Sequence, residues 1–255
     1  MTATRSDAIQ TEPDLADSVA AAILAAVNEG FERQLELTRA LVTMPSLRGD
    51  EALVQDFMAG CFAARGYAVE RFAMDPAALA GHVGAGRITA EHSTAEIVVA
   101  RAGTPGGAGR SLILQGHVDV VPPGPAHQWT HPPFSAHVAG DWLYGRGAGD
   151  MKAGCIANIA CLDALRRAGF VPDAPVILQS VVEEESTGNG ALMTHLRGYR
   201  ADAVLIPEPE DEKLVRANVG VLWFRVTVAG SAVHVREMET GRDAIGAAMS
   251  LIAAL

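Results

Sequence analysis

One imidazole and several carboxylates sit at the ends of strand-like segments: His117-Val118-Asp119, Asp150, Glu183-Glu184-Glu185 and Glu208-Pro209. Nitrogen and oxygen donors that reach one sheet edge from separate strands can converge on divalent cations without distorting a single loop. The chemistry this points to is metal-assisted hydrolysis. Asp119 can reach back to the second ring nitrogen of His117 and fix the tautomer of a metal-ligating imidazole. A histidine alone at a strand end is more often simply hydrogen-bonded; here the accompanying acids outweigh that reading. The glycines of Gly145-Arg146-Gly147-Ala148-Gly149 let the backbone pass close to a metal and leave Asp150 to bridge two ions.

Three adjacent glutamates repel one another unless cations offset the cost. Neighbours on an extended segment face opposite sides, so Glu184 and Glu185 can divide the work, one binding metal and the other holding a proton near an attacking water. Glu208 lies between Pro207 and Pro209, which bar a helix and hold it extended as a fixed ligand. A phosphate-binding loop is excluded because Ala153 follows Lys152 where Ser or Thr is required, and Ser186 and Ser231 lack the G-x-S-x-G setting of a serine hydrolase. His234, in a turn of the tail, is either a routine turn residue or a donor aimed at another site. The remaining histidines have no carboxylates at ligand spacing.

The elements that must position these groups belong to a globular chain of 255 residues, 49% apolar and 20% charged. A net charge of −10 without clustered Lys and Arg excludes a nucleic-acid partner. Cys61, Cys155 and Cys161 show no CxxC spacing and read as buried free thiols. The apolar stretch Val19 to Val27 follows Glu12, Asp14 and Asp17 where a signal peptide would be basic, and no apolar run is long enough to span a membrane, so a cytoplasmic protein is expected.

Helical periodicity runs from Asp14 to about Met44 and from Asp50 to Arg65. Strands are expected at Ala68–Phe72, Ile97–Ala100, Ser111–Gly116, Ala174–Val182 and Ala203–Ile206, with helices at Met151–Ala168 and Gly188–Leu196. Val118 to Ala139 reads as a long ordered loop serving a site. The alternation implies an α/β fold, a mostly parallel central sheet flanked by helices. The tail holds a β-rich run, Val219–Val228, and a helix from Arg242 to Leu255 that stops without a cap.

Gly116-His117-Val118-Asp119-Val120-Val121-Pro122, the segment Gly145 to Gly154, the glutamate cluster running to Gly190, and Glu208-Pro209 together resemble the M20 metallopeptidase family, the group of acetylornithine deacetylase, succinyl-diaminopimelate desuccinylase, aminoacylase and the glutamate carboxypeptidases. The resemblance implies two zinc ions, with cobalt or manganese suiting the same ligands: His117 and Glu208 on one, Glu185 on the other, Asp150 bridging, Asp119 orienting His117 and Glu184 as general base. It implies that His234 is the histidine donated across a homodimer to the partner's tetrahedral intermediate. It also implies a zinc-peptidase-like catalytic domain over 1–213 and the start of an inserted α+β dimerisation domain over 214–255. Glu183 stands where the family usually has Asp.

In the family a segment after the dimerisation domain supplies the last zinc histidine and contacts to a substrate carboxylate; the 255 residues do not include it, so the chain is expected to be truncated, with one fully furnished metal site and weak or no turnover. The expected reaction is hydrolysis of an N-acyl amino acid or similar small amide. The alternatives are a small-peptide carboxypeptidase or dipeptidase, an N-formyl-amine deformylase, and a non-catalytic homologue.

Overall fold

The computed structural model describes residues 15–89, 92–211, 213–217, 220 and 224–254. The chain divides into two compact units, residues 1–212 and 213–255. In the first, five strands form one sheet in the order β1-β2-β6-β3-β7: β1 (Ala68–Phe72), β2 (Ile97–Gly103), β3 (Leu112–His117), β6 (Pro175–Val181) and β7 (Ala203–Leu205). β6 pairs with β3 and β3 with β7 in parallel, whereas β1, β2 and β6 run antiparallel to one another in turn. The expected α/β layer is present as a mixed sheet whose parallel half carries the acidic strand ends. β4 (His137–Ala139), at the end of what the sequence suggests is one long loop, pairs with β5 (Trp142–Tyr144), just beyond it, as a separate hairpin.

Helices cover the sheet because their apolar residues recur on one face. In α4 (Gly154–Arg167) the buried Cys155, Ile156, Ile159 and Leu162 keep helical spacing and lie against β3 and β6. α1 (Asp17–Val42) packs on α4, and its buried residues concentrate in the final turns at Leu37, Thr38, Leu41 and Val42. α2 (Ala52–Ala63) lies over β1 and β2 and buries Val54, Met58 and Phe62, while α5 (Asn189–Leu196) meets the short α3 (Pro76–Leu79). Ile97, Val98, Leu114, Met151, Ile156 and Leu178 lie at the centre of the core. The helix expected from Met151 begins regularly only at Gly154, because Asp150 and Met151 leave helical dihedrals and are joined by a cis peptide bond.

Lys152 has no exposed surface, yet its Nζ donates to the carbonyls of Leu41 (3.2 Å) and Met44 (2.7 Å), at and just beyond the last turn of α1. Burial lowers its ammonium to about 8. The lysine thereby ties the Asp150 turn to the helix that ends before Pro45.

In the second unit, Ser231 bridges to Arg242, a 3-10 turn spans Val235–Thr240, and α6 covers Ala244–Ala254. The β-rich run expected over 219–228 forms no strand among the described residues there. Residues 219 and 221–223 of that run lie outside the described residues. No helix among the described residues is long and apolar enough to cross a membrane.

Two glycines separate packing from propensity. A Cβ on Gly154 would lie 2.4 Å from the Pro207 carbonyl, whereas one on the exposed, helical Gly60 meets nothing within 4 Å. Gly154→Ala is therefore expected to destabilise by about 1–3 kcal/mol through overpacking. Gly60→Ala is expected to stabilise by about 0.5–1 kcal/mol through helix propensity. Urea unfolding of both variants checks the pair; equal effects would contradict the close approach of α4 to the end of β7.

Candidate metal centre

β3 ends on His117, β6 leads into the three glutamates, β7 leads to Glu208, and the turn before α4 carries Asp150. The parallel order β6-β3-β7 places three of these carriers side by side with their C-terminal ends on one rim. His117 is buried, and its Nε2 lies 3.1 Å from Asp150 Oδ1, 3.7 Å from Glu184 Oε2 and 3.7 Å from Glu208 Oε1. Single donor atoms of His117, Asp150 and Glu185 all fall within 4.8 Å of one another. The structure thus brings together all four residues that the sequence suggests as metal ligands, with Glu184 beside them.

Asp119 lies beside the second ring nitrogen of His117 and does more besides. The Nδ1–H of His117 is 3.0 Å from the Asp119 backbone carbonyl and 3.4 Å from its carboxylate. Both neighbours are acceptors, so Nδ1 carries a proton and Nε2 is the atom left to face the acids. The buried Asp119 carboxylate accepts the backbone N–H groups of Glu184 (3.2 Å) and Glu185 (3.1 Å). It therefore fastens the glutamate turn to the end of β3 as well as flanking the imidazole.

The glutamates do not continue an extended strand, as the alternation argument expects. Glu183 has φ +62°, and residues 184–187 form a turn. A left-handed residue reverses the chain, and the Glu183 carbonyl accepts N–H groups from Thr187 and Gly188. Its side chain is fully buried away from the cluster: Oε1 accepts from Arg48 Nε (3.0 Å) and Ser93 N (2.6 Å), and Oε2 from Thr187 Oγ1 (2.6 Å). Sequence reasoning missed Arg48 and Ser93, since a lone arginine and a lone serine in separate loops carry no spacing signal.

The segment 118–120 is fixed from below. Ser46 Oγ donates to the Val118 carbonyl at 2.6 Å, Val120 N–H donates to the Ser46 carbonyl at 3.0 Å, and Leu47 bridges to Val120. Cys155, a buried free thiol in the first turn of α4, donates to the His117 carbonyl at 3.1 Å.

The electrostatics fit a cation. Burial pulls the His117 pKa down, but the hydrogen bond and charge of Asp119, with the charges of Glu184 and Glu208, outweigh it and raise the value to about 9. Glu208 rises to about 7, through burial and then through repulsion from Asp150, Glu184 and Glu185 against the pull of His117; Glu185 is raised by burial and the Asp150 charge. A neutral imidazole cannot present its Nε2 lone pair to three carboxylate oxygens unless a proton or a metal lies between them. Imidazole nitrogen plus carboxylate oxygens is a donor set suited to zinc, cobalt or manganese.

His234 lies in the second unit and is exposed; its Nδ1 accepts the Arg236 N–H at 3.2 Å, so the neutral ring carries its proton on Nε2 as a donor.

Residues 113–251 match peptidase family M20/M25/M40. A succinyl-diaminopimelate desuccinylase from Methylorubrum extorquens is 34% identical over 239 residues, covering 87% of this chain and 56% of its own length. Its counterpart from Acidovorax ebreus is 29% identical, covering 87% and 57%. Among solved structures, a tripeptidase from Staphylococcus aureus is similar with TM-score 0.58 at 21% identity, covering 87% of this chain and 56% of its own. A di-peptidase from Saccharomyces cerevisiae is similar with TM-score 0.58 at 18% identity, covering 74% and 40%. The structural likenesses show a shared fold, and the chain spans a little over half the length of the curated relatives it matches.

Cation and proton compete for the same atoms. His117 holds its proton up to about pH 9 and Glu208 up to about pH 7, so a divalent ion must displace protons at neutral pH. Apparent zinc affinity should therefore rise as pH increases from below the Glu208 value toward the His117 value. Calorimetric titrations at pH 7 in buffers of different ionisation enthalpy should report net proton release. Affinity independent of pH would count against His117 Nε2 as a ligand.

Proposed function

Because the chain belongs to peptidase family M20/M25/M40, we propose that it is the metal-binding part of a hydrolase that cleaves the amide bond of an N-acyl amino acid, foremost an N-succinyl or N-acetyl one. The observation that carries this reading is the convergence of Asp150, Glu184 and Glu208 on His117 Nε2, with Glu185 beside them, at the rim of the parallel strands. The desuccinylase names of the relatives support the acyl class.

In this reading His117, Asp150, Glu185 and Glu208 would hold the divalent cations. Divalent cations there, zinc foremost, supply Lewis acidity that polarises a carbonyl and lower a water pKa from about 15.7 toward about 7. Asp119 keeps the Nδ1 proton of His117 in place so that Nε2 stays available. Glu184, about half exposed with its backbone fixed by Asp119, is the general base. It takes a proton from the attacking water as the water oxygen bonds to the amide carbon. It then delivers that proton to the leaving nitrogen as the C–N bond breaks. His234, through its Nε2–H, is the donor offered to a partner copy in a homodimer built on the second unit.

Glu184→Gln keeps size and hydrogen bonding but loses basicity. Metal content, read by atomic absorption, should stay at the parent level while turnover falls by about 10²- to 10⁴-fold; retained turnover would remove Glu184 from the base role. A panel of N-succinyl, N-acetyl and N-formyl amino acids against dipeptides identifies the substrate. Cleavage confined to dipeptides would replace the deacylase reading by a peptidase one.

A further inference from the structure

We propose that Glu51 is a positioning residue for the metal centre: through Ser93 it aims a backbone N–H at Glu183 and so sets the turn that presents Glu184 and Glu185. This rests on the metal-centre reading above. Glu51 lies immediately before α2 and is fully buried. Its Oε2 accepts from Ser93 Oγ at 2.8 Å and from Gly49 N at 2.9 Å. Ser93 Oγ also accepts the Ala95 N–H at 3.2 Å, so the hydroxyl both donates and accepts. A serine held in this way has a fixed backbone, and its N–H meets Glu183 Oε1 at 2.6 Å. Arg48, from the same loop as Glu51, donates to the same oxygen at 3.0 Å.

Energetics favour a positioning role over mere filling. Glu51 Oε1 is buried with no hydrogen-bond partner, and burial together with the Asp119 charge raises its carboxyl to about 7. An apolar side chain of similar volume would avoid that desolvation cost. What the apolar side chain could not do is accept the Ser93 hydroxyl. Glu183 sits at positive φ, so the inward anchoring of its side chain and the direction of the two following residues are set together. The path runs from Glu51 through Ser93 and Glu183 to the ligand turn and touches neither cation nor substrate.

The test compares Glu51→Leu, Glu51→Gln and Ser93→Ala in the 255-residue chain, by cobalt(II) titration followed through visible absorption, with urea midpoints in parallel. Glu51→Leu and Ser93→Ala should each weaken cobalt binding by about 10- to 100-fold, the scale for groups that orient ligands, and alter the cobalt spectrum. Their combination should be no worse than either alone. Glu51→Gln, which keeps an acceptor and puts an amide nitrogen where the oxygen has no partner, should restore parent affinity and spectrum. Parent-like cobalt affinity and spectrum in both Glu51→Leu and Ser93→Ala, whatever their urea midpoints, would overturn the proposal, as would failure of Glu51→Gln to restore binding. If Glu51→Leu does not fold, Ser93→Ala decides alone, because its N–H to Glu183 remains. A parent chain that takes up no cobalt would sink the metal-centre reading itself, a result distinct from unchanged variants.

Discussion

A buried carboxylate, Asp119, joins the pieces on which the site depends. Its two oxygens accept the backbone N–H groups of Glu184 and Glu185, while its own carbonyl and carboxylate flank Nδ1 of His117. Charge-assisted bonds from backbone N–H are among the stronger hydrogen bonds available inside a protein. With so little of it exposed to water, this carboxylate would be costly to leave unbonded. The end of β3 and the turn after β6 are therefore locked to each other, and the imidazole tautomer is settled by the same residue.

The sheet explains why these pieces are within reach. Along β6-β3-β7 all strands run the same way, so their C-terminal ends open on one rim, where ligand sites of α/β sheets gather. The antiparallel half, β1 and β2, contributes no ligand but covers the flank and buries Ile97, Val98 and Val99. α4 reaches the rim from one face: Gly154 lets it approach Pro207, Cys155 bonds the His117 carbonyl and Asn158 the Gln115 carbonyl. Lys152 couples that same turn to α1. Packing and site geometry are thus one problem near Asp150, and changes there act on both.

Much of this was legible in the residues. Apolar runs ending in His117, Val182 and Ile206 mark strands, two of them buried and β7 exposed, and acids at strand ends mark a rim, so the residues that converge there could be read from spacing. β1 is found at the bounds expected, and α4 starts late because a turn that carries Asp150 cannot also be regular helix. Three features were not legible. Alternation says that neighbouring glutamates point to opposite sides, but this holds only in extended backbone, and the left-handed Glu183 breaks the rule. The β4–β5 hairpin was hidden because its strands are three residues each, too short for a period of two to declare itself. Third, Arg48 and Glu51 come from one loop and Ser93 from another, and they meet only through tertiary structure.

The acids around the site fall into two kinds, and the difference explains how they can coexist. Asp119 and Glu183 are buried and each accepts hydrogen bonds on both oxygens, from backbone N–H, Arg48 and Thr187, so protein donors hold them without any cation. Asp150 and Glu184 keep about half of their side-chain surface, and Glu208 a quarter, and all three face His117. Groups of the second kind can change partners cheaply because they have not been committed to protein donors. A frame of satisfied carboxylates holding a rim of unsatisfied ones gives a centre whose shape is set before a cation arrives. Its remaining negative charge attracts cations, and the crowding of these acids helps raise the carboxyls of Glu208 and Glu185 against the pull of one imidazole.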